Sequence, residues 1–402
     1  MGTGTTHRPT ISKAGCVPHS SNISRKRPRR FLPRPSHATH DPPCMTPLSP
    51  ALFLSLVLAA VGLADEPRLN QIQAIGSHNS YHVAPPKAVL GVIGKFHDGA
   101  VEAWDYSHPP LTKQLDAGVR QFELDIYADT KGGTFAMPLG WKLANLSGAK
   151  LPPFDATGDL AKPGFKVLHV PDIDCWSNSP TLDGALAEMG KWSTEHPGHL
   201  PVMVLVECKD EAHTPLPTKP EPFTRERLLE LDTAILKAIP REKILLPDDV
   251  RGDEKTLREA VVKKGWPELG KVRGKFLFAL DNTGEIRDRY LAGNDALEGR
   301  VLFVSAPDAA HAAAGWFKRN DAAREFDDIR KLVKEGFLVR TRADGSGPDA
   351  KLREKAFESG AQWVSTDHFA AGLPAEKRVV FPDGKMARGN PVSGDEVKVV
   401  EP

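Results

Sequence analysis

Cysteine is scarce in this chain, with four residues in all, at positions 16, 44, 175 and 208, and none in the close pairs of a zinc-binding spacing. A disulfide-stapled scaffold and a structural zinc site are therefore excluded. Only Cys175 and Cys208 lie beyond residue 64, and they could pair only in an oxidising compartment. Strand alternation turns Cys208 away from Glu207 and Lys209, so two buried free thiols are expected. A membrane-spanning run is also missing. The uncharged apolar stretch 51–64 falls short of the roughly 20 residues that cross a bilayer as a helix. Charge of one sign is absent too, although the formal +1 hides an asymmetry: eight of the 53 basic but only one of the 52 acidic side chains fall in the first 64 residues. The rest carries a net −6, which disfavours a nucleic-acid partner, because phosphate binding needs a basic surface. No internal repeat and no second domain can be discerned.

Residues 1–44, rich in Pro, Ser, Arg and His without apolar periodicity, read as a disordered leader or an over-extended start. Met45 then opens a segment, 45–64, with an apolar run and with Gly62 and Ala64 at the third and first positions before Asp65. That pattern predicts a signal peptide, and hence a secreted or periplasmic protein with no transmembrane segment once it is removed. Residues 65–375 are long enough for one large catalytic domain, and the polar, Pro-rich and Gly-rich tail 376–402 reads as irregular.

Apolar runs predict eight strands, at 71–75, 121–127, 165–170, 201–209, 275–281, 301–306, 337–342 and 361–367, with helices at 111–117, 181–192, 224–239, 257–264 and 321–335. Eight strands alternating with helices predict an α/β fold, a single (β/α)8 TIM-like barrel. The long connection 131–164 is expected to cover or build the site. In such a barrel, reactive side chains project from the carboxyl ends of the strands. The first four runs end in His78-Asn79, Glu123-x-Asp125, His169 and Glu207-x-Lys209. Glu123 and Asp125 share one strand face, with Phe122, Leu124 and Ile126 on the other. Oxygen donors alone suit a hard cation, and histidines beside it suit acid and electrostatic work on a phosphodiester.

These four strand ends, in this order, resemble the catalytic barrel of calcium-dependent phosphoinositide-specific phospholipase C, in particular its secreted bacterial branch, which has the barrel alone. Nothing resembles the PH, EF-hand or C2 modules of the eukaryotic enzymes. The resemblance covers roughly residues 69–370 and implies a Ca2+ cofactor held by Asn79, Glu123, Asp125 and Glu207. It implies His78 and His169 as catalytic residues, the first stabilising the pentavalent phosphoryl group and the second protonating the leaving oxygen, with Glu123 as the base nearest the inositol 2-hydroxyl. Lys209, Arg340 and Arg342 would bind phosphate or inositol, and Tyr81 would stack on the ring. The implied substrate is phosphatidylinositol at a membrane surface, and the protein is expected to be a monomer.

Each residue also has a plainer reading. On that reading His78 and His169 serve structure, Glu123 and Asp125 form a solvated face, and Arg340 and Arg342 make salt bridges to Asp344 or Asp281. His82, His97, His108 and His368 read as surface residues, and Asp172 and Asp174 as loop caps. Two alternatives compete. Glycerophosphodiester phosphodiesterases share the barrel and the acidic pair but typically carry Arg where this chain has Asn79. A non-catalytic barrel that binds lipid or calcium would not need both histidines.

Overall fold

Eight parallel strands form the barrel in this protein, as a computed structural model describes it over residues 66–96, 98–345, 347–394 and 396–399. The expected leader and signal segment lie outside the described residues. The strands are β1 (Ile72–Ser77), β2 (Gln121–Asp129), β3 (Gly164–Val167), β4 (Val202–Cys208), β5 (Phe276–Leu280), β6 (Leu302–Val304), β7 (Trp316–Asp321), β8 (Leu338–Arg342), β9 (Trp363–Thr366) and β10 (Ala387–Gly389). Their order around the axis is β6-β5-β4-β2-β1-β9-β8-β7, and one parallel bridge, Ser305 to Trp316, joins β6 to β7. Among the described residues no helix is long and apolar enough to cross a membrane.

Two expectations about the strands are corrected. The run at 165–170 is not a barrel strand. β4 lies directly beside β2, pairing Gln121 with Met203 through Ile126 with Cys208, so that flank is already taken. β3 pairs antiparallel with the end of β2, from Ile126 to Asp129, where the nine-residue strand outruns its neighbour. The missing barrel strand is β7, read from sequence as the approach to a helix that in fact begins at Phe326. Its Lys318-Arg319-Asn320-Asp321 half, part-buried or exposed, looks like loop because its polar groups find partners elsewhere in the barrel: Lys318 pairs with Asp281 at 2.5 Å and Asn320 accepts from Arg340 at 2.5 Å.

The helices follow their sequence signals. Thr181 and Thr224 cap the helices Leu182–Glu195 and Arg225–Ala238, their hydroxyls accepting from Gly184 N at 3.2 Å and Arg227 N at 3.4 Å. Each buries one apolar stripe against the barrel, Leu182, Leu186, Met189 and Trp192 in the first and Leu228, Leu231 and Ile235 in the second. The long connection after β2 holds a helix, Leu139–Leu146, whose Ala144 packs with Val89 and Ile93 of the helix Lys87–Ile93 in a small core of its own. Cys175 and Cys208 are both buried and unpaired.

The tail is not wholly irregular. β10 runs antiparallel to β1, Ile72 opposite Gly389 and Ala74 opposite Ala387, on the edge of β1 that faces β2. β1 and β2 meet only above it, at Gly76 and Gln121. A Cβ on Gly76 would lie 2.1 Å from the Gln121 side chain, so this contact requires glycine.

Candidate active site

Where β1 ends, the chain turns sharply, and serines fix the turn. Ser80 N donates to Glu123 O at 3.0 Å, and its Oγ accepts from Glu123 N at 2.8 Å, locking the turn to the middle of β2. Asn79 holds a left-handed backbone conformation (φ 44°), which asparagine tolerates, and lies buried with its Nδ2 donating to Tyr106 Oη at 3.5 Å. His78 Nδ1 donates to Asp367 at 3.0 Å, at the end of β9, while its Nε2 faces Arg342 Nη1 at 3.2 Å and Glu123 Oε1 at 3.8 Å. Burial alone would lower the His78 pKa, but the charges of Glu123 and Asp367 outweigh it and hold it above the ordinary value. Asp367 is held well below the usual carboxylate range; burial opposes this, and the His78 charge with hydrogen bonds from His108 and His78 overcomes it.

The acidic group sits deeper. Glu123, Asp125 and Glu207 each bring an oxygen within 4.8 Å of the others. Glu123 Oε2 accepts from Arg340 Nη2 at 2.5 Å. Burial raises the Glu123 pKa, but Arg340 and His78 prevail and keep it low. Lys209 Nζ lies 3.1 Å from Asp125 Oδ2 and 3.2 Å from Glu207 Oε2. Its approach is not that of a hydrogen bond, and both Asp125 oxygens are buried with no hydrogen-bond partner among the described residues. Burial and then the Glu207 charge push the Asp125 pKa well above the usual range.

His169 comes from the loop after β3. Tyr127 Oη donates to His169 O at 2.9 Å, and a bridge between Val170 and Asp174 folds Asp174 back under the ring. Asp174 Oδ2 accepts from His169 Nδ1 at 2.7 Å, which leaves Nε2 as the free nitrogen. His78, Asn79, Glu123, Asp125, His169, Glu207, Lys209 and Arg342 line one cavity of about 720 Å³, along with Tyr106, His108 and Asp367.

The profile of the family described as phosphoinositide phospholipase C, Ca2+-dependent, matches residues 67–391. The chain belongs to that family. No curated protein matches it. Among solved structures it is similar to a calcium-dependent phosphoinositol-specific phospholipase C from a Gram-negative bacterium, Pseudomonas sp, at 13% identity over 80% of this chain and 95% of that one, with a TM-score of 0.50. The myoinositol complex of the same enzyme gives 14% identity, 81% and 96% coverage and a TM-score of 0.50. A Ca+2 dependent phosphatidylinositol-specific phospholipase C from Streptomyces antibioticus shares 18% identity over 75% of this chain and 94% of that one, with a TM-score of 0.48. At such identities the likeness is one of fold.

Calcium is the ion of this family, and the donor set suits it. The oxygens of Glu123, Asp125 and Glu207 converge, and Asp125 offers two buried oxygens with no hydrogen bond, a costly arrangement that a hard cation relieves.

Several residues stand elsewhere than the sequence suggested. Tyr81 is fully buried in the main core and does not line the cavity, so it cannot stack on a ligand there; Trp104 and Tyr106 are the Trp and Tyr side chains on the wall. Arg340 is 1% exposed against Glu123 and also lies off the cavity wall, whereas Arg342 lines it and pairs with Asp367 at 3.1 Å and Asp344 at 3.2 Å. His82 and His108 are buried rather than on the surface, and half-buried His368 pairs with Asp344 at 3.1 Å. Asp172 is a loop cap as expected, accepting from Leu139 N and Thr218 N at 3.0 Å each. Asp174 is not; it serves two histidines. From sequence Asp174 reads as a loop cap and Asp367 as the end of a strand, because His82 and His78, which they hold, come from distant segments of the chain.

Proposed function

We propose that the protein cleaves phosphatidylinositol by attack of the inositol 2-hydroxyl on its own phosphate, releasing diacylglycerol and a cyclic inositol phosphate. The observation that carries this is the buried Asp125 carboxylate, ion-paired with Lys209 but without a hydrogen bond, between two acids in a cavity that also holds two imidazoles, each backed by its own aspartate. Asn79, Glu123, Asp125 and Glu207 would hold calcium, which when bound supplies a Lewis acid that lowers the pKa of the 2-hydroxyl and offsets phosphoryl charge.

The remaining steps belong to the chain. Glu123, kept ionised by Arg340, takes the 2-hydroxyl proton as the new P–O bond forms. His78 and Arg342 face the charge that gathers on the phosphoryl oxygens. As the bond from phosphorus to the glycerol oxygen breaks, His169 passes the proton on Nε2 to that oxygen. Asp174 holds the opposite nitrogen.

Both Lys209 and Arg342, the Lys and Arg side chains described on the cavity wall, are already paired with carboxylates. This favours an inositol without further phosphates. The glycerophosphodiesterase alternative gains nothing from Arg340, which is sequestered against Glu123. The test is turnover on phosphatidylinositol with a chelator and after calcium add-back, followed by product analysis. Release of glycerol 3-phosphate from glycerophosphoinositol, with no diacylglycerol from phosphatidylinositol, overturns the proposal. Replacing His78 or His169 by Ala should each cost about a hundredfold or more in kcat; a smaller loss in both variants would overturn the roles given to the two histidines, and a wild type that binds phosphatidylinositol without cleaving it would leave a binding barrel.

A further inference from the structure

Lys209 follows β4 directly, and its ammonium group lies against two of the three clustered carboxylates, 3.1 Å from Asp125 Oδ2 and 3.2 Å from Glu207 Oε2. Both carboxylates belong to the cluster in which a divalent ion would sit. Calcium draws its oxygen ligands to about 2.3–2.6 Å, so an ammonium resting on the same pair would sit beside a doubly charged ion in a largely buried setting. The two cations cannot both keep those contacts. Glu123 presents no such conflict, because Arg340 holds Oε2 and leaves Oε1 toward His78.

We propose that Lys209 is a metal-gated phosphate ligand: it rests on Asp125 and Glu207, and it is released toward the phosphate when a divalent ion takes those oxygens. Its side chain suits the task. A lysine ends in a compact charge on a flexible four-carbon stem, and this one is 28% exposed on the wall of the cavity that also holds His78 and His169. The wall on its side includes His169, so the released ammonium stands near the bond that breaks. Two consequences follow. Lysine and metal compete in the empty cavity, which weakens metal binding. Once phosphate is present, the displaced charge gains a partner, so metal and phosphate each tighten the other by the same factor.

The inference rests on the proposed calcium site, and its test separates the two. Calcium binding to the full chain is measured by titration calorimetry, alone and with saturating myo-inositol 1-phosphate, for the wild type, Lys209→Met, Arg342→Met and Glu123→Gln. Competition for shared oxygens predicts that Lys209→Met binds calcium about tenfold more tightly than the wild type without the probe. The probe should then tighten calcium less in this variant than in the wild type. Arg342→Met, which removes a cavity charge that does not touch the cluster, should change calcium affinity by less than about threefold. Lys209→Gln serves as a second variant if Met disturbs folding, and should fall on the same side. Equal or weaker calcium binding in the lysine variants overturns the gating, as does an equal gain in Arg342→Met. A wild type that binds no calcium, or a Glu123→Gln protein that binds it as well as the wild type, overturns the metal site itself.

Discussion

Asp174 gives one carboxylate oxygen to His169 Nδ1 at 2.7 Å and the other to His82 Nε2 at 2.9 Å. His82 is fully buried, stacked on Tyr106 with ring centroids 4.2 Å apart, and its Nδ1 donates to Tyr106 O at 3.1 Å. The aspartate is thus fixed from behind, and His169 is oriented by it. Burial raises the Asp174 pKa, but the hydrogen bonds from His169 and then His82 pull it below the usual range, so the acid stays ionised.

Asp174→Asn should therefore lower kcat by at least about tenfold with little change in KM, because an amide can favour the wrong imidazole tautomer while filling the same space. Steady-state kinetics on phosphatidylinositol vesicles, with circular dichroism as a check on folding, measure this. An unchanged kcat would mean that the carboxylate only supports its loop.

Tyr81→Phe should leave kcat within about threefold of the wild type and leave stability equal or raised by up to about 1 kcal/mol. The phenol oxygen is buried without a hydrogen bond among the described residues, so its removal takes away an unsatisfied group rather than a contact to substrate. Urea unfolding and kinetics together decide it. A large rise in KM would restore the stacking role that the fold denies.

Much of the architecture could be read from the apolar pattern, because Glu123-x-Asp125 keeps one face of β2 polar and the other apolar, and an unbroken apolar run leads into Glu207. β7 could not. Lys318 and Asn320 obey no apolar pattern, since their partners are Asp281, just past β5, and Arg340 on β8, and a strand whose polar groups pair across the barrel looks like loop in one dimension. The same reason hid Asp367 from view: its partner His78 is 289 positions away in the chain. Local sequence identified the groups able to do chemistry but not the residues that aim them.

Asp232 supplies a pH test away from the site. Burial pushes its carboxyl up to about 6, against 3.8 ordinarily, with the hydrogen bond from Tyr290 Oη at 2.8 Å opposing the shift. Between those two values the folded chain holds the proton and the unfolded chain has lost it, so this group's contribution to stability declines as pH rises through the window. Asp232→Asn keeps an acceptor for Tyr290 and removes the charge. Its stability relative to the wild type should grow from pH 4 to pH 6.5 by up to about 3 kcal/mol, read from urea midpoints. A constant difference across that range would mean the buried acid is not strained.

Calcium at about 100 times its dissociation constant should stabilise the fold by about 2.7 kcal/mol, and a chelator should reverse the gain. Asp125→Asn should lose most of the effect, because the oxygens left without hydrogen bonds are its own. Denaturation in calcium and in chelator measures this without any turnover. Equal stabilisation of wild type and variant would place the ion elsewhere.

The pairing of β10 with β1 carries a practical lesson. A shortened version ending at residue 375, where the sequence reading ends the barrel, would strip Ile75 N of Met386 O and leave open the strand edge that runs up to His78. Its soluble yield and folding would suffer before any question of chemistry arose. Residues 376–402 belong in any version made for crystallisation or assay, and an affinity handle fused there needs a spacer.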